Sequence, residues 1–162
     1  MSTHEFEPTV TKENGDYVLR SNQRLPGTPE EIFPFFSDPS NLERITPKNL
    51  NFRILTPRPI EMREGTVIDY RIKVRGIPLG WRSVITAWEP PFRFVDDQVR
   101  GPYRKWVHEH AFVQDGSTTI MKDTARYKVW GGALMNRLII QRDVMNIFRS
   151  RTKILSELFP IT

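Results

Sequence analysis

Two histidines and an aspartate share one face of a predicted β-hairpin, where their side chains could exchange protons or hold a ligand. His108 and His110 stand two residues apart in the segment 103–114, and Asp123 stands in the segment 117–130. Side chains alternate between faces along a strand, so all three point the same way. The other side chains on that face are mostly large and apolar, and they include Trp106, Phe112, Met121 and Tyr127. This mixture is typical of a ligand pocket rather than of a dry core.

The dipeptide Asp115-Gly116 predicts the turn between the two strands, because a type I′ turn needs positive φ at both central residues. If these two residues form the whole turn, Gln114 lies opposite Ser117 and the register is fixed. The resulting pairs are His108 with Asp123, His110 with Met121, and Trp106 with Ala125. We therefore expect His108 and Asp123 to lie within hydrogen-bonding distance, and an ionised Asp123 to raise the pKa of His108. A one-residue bulge would change every pair.

Three interpretations of these polar residues remain open. In a structural network, His108, His110 and Asp123 satisfy one another inside a mixed core, as buried polar groups require. In a binding site, the imidazoles orient an oxygenated and otherwise apolar ligand. In a catalytic site, Asp123 fixes the tautomer of His108, which acts as general base on an acidic C–H or hydroxyl, while His110 or Arg104 stabilises the oxyanion.

The binding interpretation assigns a set of aromatic, apolar and polar side chains to the pocket. They are Tyr70, Phe94, Gln98, Trp106, His108, His110, Phe112, Tyr127, Met145 and Phe148. A facial set of two histidines and Asp123 around a metal is a weaker alternative, and His4, near the N-terminus, is not expected to contribute. We expect neither a metal nor a cofactor.

Composition bounds the class of protein. A length of 162 residues predicts one domain, which covers 16–162 and follows a flexible polar leader at 1–15. The absence of cysteine excludes disulfides and zinc–cysteine sites. No segment resembles a secretory signal or a membrane span, so we expect a cytoplasmic protein without stable membrane insertion. The net charge of +5 is concentrated in the last helical segment. Without a nucleic-acid-binding motif it indicates a solvated helix face and no nucleic-acid partner.

The pattern of the chain predicts an α+β fold. Thr28-Pro29-Glu30-Glu31 begins a short helix, which should be limited by Pro34 and by Ser37-Asp38-Pro39, where the chain restarts. Asp38 caps a second short helix. A long helix follows over 133–159, with Leu138, Met145, Phe148 and Leu155 expected to be buried. The predicted strands cover residues 17–25, 51–57, 66–75, 79–89, 92–100, 103–114 and 117–130.

Several motifs resemble the helix-grip fold of the START and birch-pollen-allergen-like superfamily (SRPBCC), in particular its bacterial polyketide cyclase/dehydrase-like ligand-binding proteins. The matching stretches cover 19–158: Thr28-Pro29-Glu30-Glu31-Ile32-Phe33, Phe36-Ser37-Asp38-Pro39-Ser40-Asn41-Leu42, Trp88-Glu89-Pro90-Pro91-Phe92-Arg93-Phe94, Phe94-Val95-Asp96-Asp97-Gln98, Gly101-Pro102-Tyr103-Arg104-Lys105-Trp106 and His108-x-His110-x-Phe112. The resemblance implies a curved seven-stranded antiparallel sheet that, with two short helices and a long C-terminal helix, encloses a cavity.

The resemblance and the polar face together favour binding of a hydrophobic small molecule, such as a lipid or polyketide, between the sheet and the C-terminal helix. A cyclase or dehydrase with a His108–Asp123 general base is the first alternative. A second alternative is a non-catalytic interaction module with a solid core and a basic C-terminal helix, whose mark would be a cavity too small for any ligand. The sequence does not indicate the oligomeric state.

Overall fold

The computed structural model describes residues 7–161, and its main element is an eight-stranded antiparallel sheet. Its order is β1-β2-β8-β7-β6-β5-β4-β3, so β1 and β3 form the two edges. The strands are β1 (Thr9–Glu13), β2 (Asp16–Pro26), β3 (Arg53–Ile54), β4 (Val67–Val74), β5 (Ile77–Glu89), β6 (Arg93–Arg100), β7 (Lys105–Asp115) and β8 (Thr118–Lys128).

Helices precede β3 and follow β8. The first pair is α1 (Pro29–Ser37) and α2 (Leu42–Ile45), and the chain closes with α3 (Gly132–Met135), a π-helical turn (Asn136–Ile140) and α4 (Gln141–Leu158). The last three follow one another without a break, and we call them together the terminal helix. The predicted fold class is confirmed. Among the described residues, no helix is both long enough and apolar enough to cross a membrane.

The sheet has one strand more than the sequence analysis predicted. Thr9–Glu13 pairs with β2 through a turn at Asn14 and Gly15, which have φ of 50° and 82°. Positive φ at both residues suits the tight turn of a two-residue hairpin. The expectation of a flexible leader is therefore wrong for Thr9–Glu13, whereas residues 1–6, including His4, lie outside the described residues.

The β7–β8 turn lies one residue later than predicted. Asp115 is opposite Thr118, so Gly116 and Ser117 form the turn. Arg24 of β2 contributes to this register, because its Nη1 donates to Asp115 Oδ2 at 2.6 Å and ties the end of β7 to β2. The predicted pairs are wrong by two residues, which leaves every side chain on its predicted face. The observed pairs are His108 with Ala125, His110 with Asp123, Phe112 with Met121, and Trp106 with Tyr127.

Helix α1 continues through Pro34 and ends at Ser37, so it is the short helix that the sequence predicts. The backbone N–H of Thr28 donates to Glu31 Oε2 at 2.8 Å, which fixes the start of the helix. Its side chains Ile32, Phe33 and Phe36 are buried. Burial of this face offsets the hydrogen bond that proline cannot make.

The terminal helix packs on the sheet through Val144, Phe148 and Leu155, all of which are buried. Gln23 of β2 adds a polar tie, because its Nε2 donates to the carbonyl oxygen of Thr152 at 3.0 Å. Burial of Phe148 and Leu155 agrees with the prediction, and Met145 is half-buried.

The prediction for Leu138 is wrong, since 64 % of its surface is exposed. The π-helical turn at Asn136–Ile140 is the reason. A π turn inserts an extra residue, so the face that is buried along α4 does not continue in phase through Leu138. Asn136 takes the buried position in this turn, with 1 % of its surface exposed.

Replacing Phe148 with alanine should lower the free energy of unfolding by about 3–5 kcal/mol, because it removes a buried ring that the terminal helix places on the sheet. Urea denaturation followed by circular dichroism measures the change. The control is Leu138→Ala in the same helix, which should cost less than about 1 kcal/mol because Leu138 is exposed. Equal effects of the two substitutions would contradict the packing described above.

Candidate functional site

Two imidazoles and two carboxylates form a buried network across the adjacent strands β6, β7 and β8. The Nε2–H of His108 donates to Asp123 Oδ1 at 2.9 Å, and the Nε2–H of His110 donates to Asp96 Oδ2 at 2.9 Å. Ionised carboxylates only accept hydrogen bonds, which places a proton on each Nε2. The two imidazole centroids are 3.8 Å apart. Phe94 stacks on the ring of His110 with a centroid separation of 4.2 Å.

Each hydrogen bond in this network runs diagonally across the sheet. Asp96 is directly opposite His108 yet accepts from His110, whereas Asp123 is directly opposite His110 yet accepts from His108. The predicted His108–Asp123 hydrogen bond is therefore present, although the predicted direct pairing is wrong. Nδ1 of His110 also lies 3.0 Å from Asp123 Oδ1, but the alignment does not make a hydrogen bond.

The network holds both carboxylates in their ionised form. Burial acts to raise the pKa of Asp123, but the charge of Arg151 and the contacts with both histidines lower it well below its usual value. Burial likewise opposes ionisation of Asp96, and the hydrogen bond from His110 with the nearby positive charges outweighs it and lowers the pKa.

The pKa values of the two histidines are shifted in opposite directions by the network. Burial and the neighbouring charge of His110 lower the pKa of His108, against the pull of Asp123. Burial also acts against protonation of His110, but its contacts with Asp123 and Asp96 outweigh this and raise the pKa of His110. The expected rise of the His108 pKa is therefore wrong, because burial and the charge of the neighbouring His110 outweigh the effect of the two carboxylates.

Arg151 completes the network from α4, and the sequence analysis placed it on a solvated face. Its Nη2 lies 3.6 Å from Asp123 Oδ1, and its side chain is only 11 % exposed. Its Nε is buried and has no hydrogen-bond partner among the described residues. The signal was present in the sequence, because Arg151 follows the buried Val144 and Phe148 at helical spacing.

Next to this network lies a cavity of about 480 Å³ between the sheet and the helices. Its volume falls within the range of small-molecule sites, so the solid core of the interaction-module alternative is not found. Its walls are mainly apolar and include Ile68, Ile72, Trp81, Trp106, Val144, Ile147 and Phe148. Polar side chains reach it mainly at the network and at one further place.

The second group of polar side chains in the cavity wall consists of Tyr70 and Ser83. The Tyr70 hydroxyl lies 3.2 Å from Ser83 Oγ, and Trp81 Nε1–H donates to the same oxygen at 3.1 Å. Burial and the charge of Asp96 raise the pKa of Tyr70 well above its usual value, so its hydroxyl stays protonated. Either hydroxyl can donate in the Tyr70–Ser83 contact, so one hydroxyl proton of the pair is available to a ligand inside the cavity.

The structure brings part of the predicted binding set to the cavity. Its lining includes Tyr70, Phe94, Trp106, His108, His110 and Phe148. The remaining members do not line it, and they are Gln98, Phe112, Tyr127 and Met145. Phe112 and Tyr127 are packed in the core at 1 % and 0 % exposure. Gln98 instead binds the backbone of Tyr103 through its side-chain amide.

Of the catalytic candidates, Arg104 is not part of the site. It is exposed and stacks on Trp130 instead, with its Cζ 5.4 Å from the ring centroid. Asp123 contacts both histidines but does not itself line the cavity. Asp96 belongs to the site without having been predicted there, although it has the same strand parity as the histidines across the β6–β7 pair.

The arrangement supports two kinds of chemistry. With its proton on Nε2, His108 keeps an unprotonated Nδ1 that can accept a proton. Alternatively, Asp96, His108 and His110 can each offer one donor atom to a metal, since these three atoms lie within 4.8 Å of one another. The carboxylate of this set is Asp96, not the Asp123 considered from the sequence.

Comparison with known proteins supports the fold. No protein-family model and no curated protein matches the sequence. A crystal structure of a Thermus thermophilus protein has a TM-score of 0.69 at 16 % identity, over 86 % of this chain and 94 % of that one. Ginseng (Panax ginseng) major latex-like protein 151 has a TM-score of 0.65 at 13 % identity, over 89 % and 97 %.

A point mutant of norcoclaurine synthase from Thalictrum, solved in complex with a transition-state analogue, is a further structural neighbour. Its TM-score is 0.62 at 13 % identity, over 93 % of this chain and 98 % of that one. These matches place the chain in the helix-grip fold that the sequence motifs resemble. At such identities they establish the fold alone.

Proposed function

We propose that the protein binds a hydrophobic small molecule, of the lipid or polyketide kind, in the cavity between the sheet and the terminal helix. The observation that carries the proposal is the cavity of about 480 Å³, which has an apolar wall and a few buried polar groups at one side. Such a combination is what small-molecule sites use for affinity and orientation. The structural neighbour solved with a transition-state analogue supports a ligand-binding use of this fold.

The ligand should carry an oxygen-bearing end. Arg151 and Tyr70 both reach the cavity with hydrogen-bond donors, and Arg151 Nε is buried without a partner among the described residues. A buried donor that lacks a partner costs free energy, which an accepting ligand oxygen recovers. We therefore place a carbonyl, phenol or carboxylate at the network and the apolar body against Ile68, Trp81 and Ile147.

Filling the cavity should prevent binding of a neutral apolar probe. In Ile68→Trp/Ile72→Trp, two indole rings project from β4 into the cavity, because both isoleucines are buried and line it. The affinity for phenylnaphthylamine, measured by fluorescence titration, should fall at least about tenfold, or ~1.4 kcal/mol. The control is Val67→Trp/Arg71→Trp on the exposed positions of the same strand. Unchanged affinity in a folded filled variant would place the probe elsewhere and contradict the proposal.

Arg151 should select for an anionic ligand end. Arg151→Gln should weaken anilinonaphthalene sulfonate about tenfold, because a charge-assisted hydrogen bond in the cavity is lost. The same variant should bind neutral phenylnaphthylamine as the wild type does. Arg142→Gln removes an equal charge from an exposed position of α4 and serves as the control. If both probes weaken equally, Arg151 acts through stability and not through recognition.

General-base catalysis of the cyclase or dehydrase kind is the second candidate function. It is favoured by the 2.9 Å hydrogen bond from His108 Nε2–H to Asp123, which orients the ring and leaves Nδ1 free to accept a proton. The proton would come from the carbon next to a ligand carbonyl, and the negative charge that develops on the carbonyl oxygen would face Arg151.

Catalysis of this kind should accelerate deuterium incorporation into the methyl group of acetophenone in heavy water, which NMR measures. His108→Ala should reduce the acceleration at least about hundredfold, as expected for loss of a general base. Glu109→Gln is the control, because Glu109 pairs with Arg93 through Oε2 at 2.7 Å and lies next to His108 along the strand. A protein that binds apolar probes but gives no acceleration is a carrier.

A further inference from the structure

Three donor atoms of different side chains converge beside the cavity. Asp96 Oδ2 lies 2.9 Å from His110 Nε2 and 3.9 Å from His108 Nδ1. All three donor atoms of this set lie within 4.8 Å of one another. Ligands about 2.1 Å from a metal ion are roughly 3.0–3.5 Å apart. Small side-chain adjustments, together with release of the proton that His110 Nε2 donates to Asp96, therefore let the three atoms share one ion.

The opposite nitrogens of the two imidazoles both face Asp123. His108 Nε2 is 2.9 Å from Asp123 Oδ1, and His110 Nδ1 is 3.0 Å from the same oxygen. Metal-bound histidines usually direct their second nitrogen to a carboxylate, which fixes the ring and increases its basicity. Asp123 already accepts a hydrogen bond from His108 Nε2–H, and a small rotation would let it accept one from His110 Nδ1–H once a metal ion occupies Nε2 of that ring. Arg151 at 3.6 Å balances the charge of Asp123.

We propose that Asp96, His108 and His110 bind a divalent first-row transition-metal ion, with Asp123 as the shared outer carboxylate. Two imidazole nitrogens and one carboxylate oxygen form the ligand set typical of Fe²⁺ and also suitable for Co²⁺ and Zn²⁺. Ca²⁺ and Mg²⁺ prefer sets made of oxygen atoms and are not expected to bind. The metal site is independent of the proposed binding of an apolar ligand.

The three protein ligands leave part of the coordination sphere to the cavity. Phe94 covers one face of His110, at a centroid distance of 4.2 Å, and Phe148 packs against His108 at 5.5 Å. The donor residues Asp96, His108 and His110 all line the cavity. Water or a ligand oxygen can therefore complete the coordination from that side, and this extension rests on the proposed function. A metal on His108 Nδ1 excludes general-base catalysis by the same nitrogen.

Titration of the chelator-treated, full-length protein with Co²⁺ tests the site. The wild type should bind one equivalent of Co²⁺ and show the visible absorption band of a Co²⁺ ion with fewer than six ligands. Added Zn²⁺ should displace the Co²⁺. Asp123→Asn should weaken Co²⁺ binding about ten- to hundredfold, as outer-sphere substitutions do. Asp96→Asn keeps the side-chain shape but replaces the carboxylate of a direct ligand with a neutral amide. It should therefore weaken Co²⁺ binding more than Asp123→Asn does.

The matched control is Asp97→Asn, which makes the same change at the next residue of β6. It should leave Co²⁺ affinity unchanged, because Asp97 points to the other face of the strand and is not part of the converging set. Two results would overturn the proposed metal site. One is a folded wild-type protein that binds no Co²⁺, and the other is an equal Co²⁺ affinity of the wild type and Asp96→Asn.

Nitrogen-15 NMR of the wild type provides a readout without any variant. On addition of Zn²⁺, the resonances of His108 Nδ1 and His110 Nε2 should move to metal-bound values, while His108 Nε2 keeps its proton toward Asp123. Movement at neither nitrogen overturns the proposal. Binding of phenylnaphthylamine to the chelated protein is measured in parallel, so failure of the metal site and failure of the apolar site are seen separately.

Discussion

The placement of one buried carboxylate, Asp123, and one partly buried carboxylate, Asp96, on the apolar inner face of the sheet is the constraint on which the rest of the site depends. Asp96 and Asp123 each need hydrogen bonds and opposite charge, because an isolated buried carboxylate would cost far more than the protein can offset. Two histidines of β7 and Arg151 of α4 supply both. The sheet and the terminal helix therefore share one electrostatic network. If the helix moved away from the sheet, Asp123 would lose the positive charge of Arg151.

Alternation along strands made the composition of the site predictable, whereas its pairing was not. His108, His110 and Asp123 were assigned to one face from parity alone, and a register shift of two residues leaves that assignment intact. The observed register includes a contact with Arg24 of β2, which is remote in sequence and donates to Asp115. A local motif such as Asp115-Gly116 carries no information about such a partner.

The terminal helix also has features that its sequence pattern does not predict. A constant helical period predicts one buried face along the terminal helix, and Phe148 and Leu155 follow it. The π-helical turn at Asn136–Ile140 interrupts the period, so Leu138 is exposed and Asn136 is buried. Arg151 was misplaced for a different reason, since a charged residue on the inner face needs a buried partner, and Asp123 becomes that partner only in three dimensions.

The network also divides the apolar interior into two parts along β7. Trp106 packs with Trp81 and Phe148 on one side of the histidines, and Phe112 packs with the phenylalanines of α1 on the other. The cavity lies mainly on the Trp106 side, since more of its lining residues belong to the Trp106 group than to the Phe112 group, and Phe112 itself does not line it. A purely structural network would gain most from a filled interior on both sides. Here one side is filled and the other is open, and Asp96, His108, His110 and Arg151 of the network line the space that a ligand can occupy.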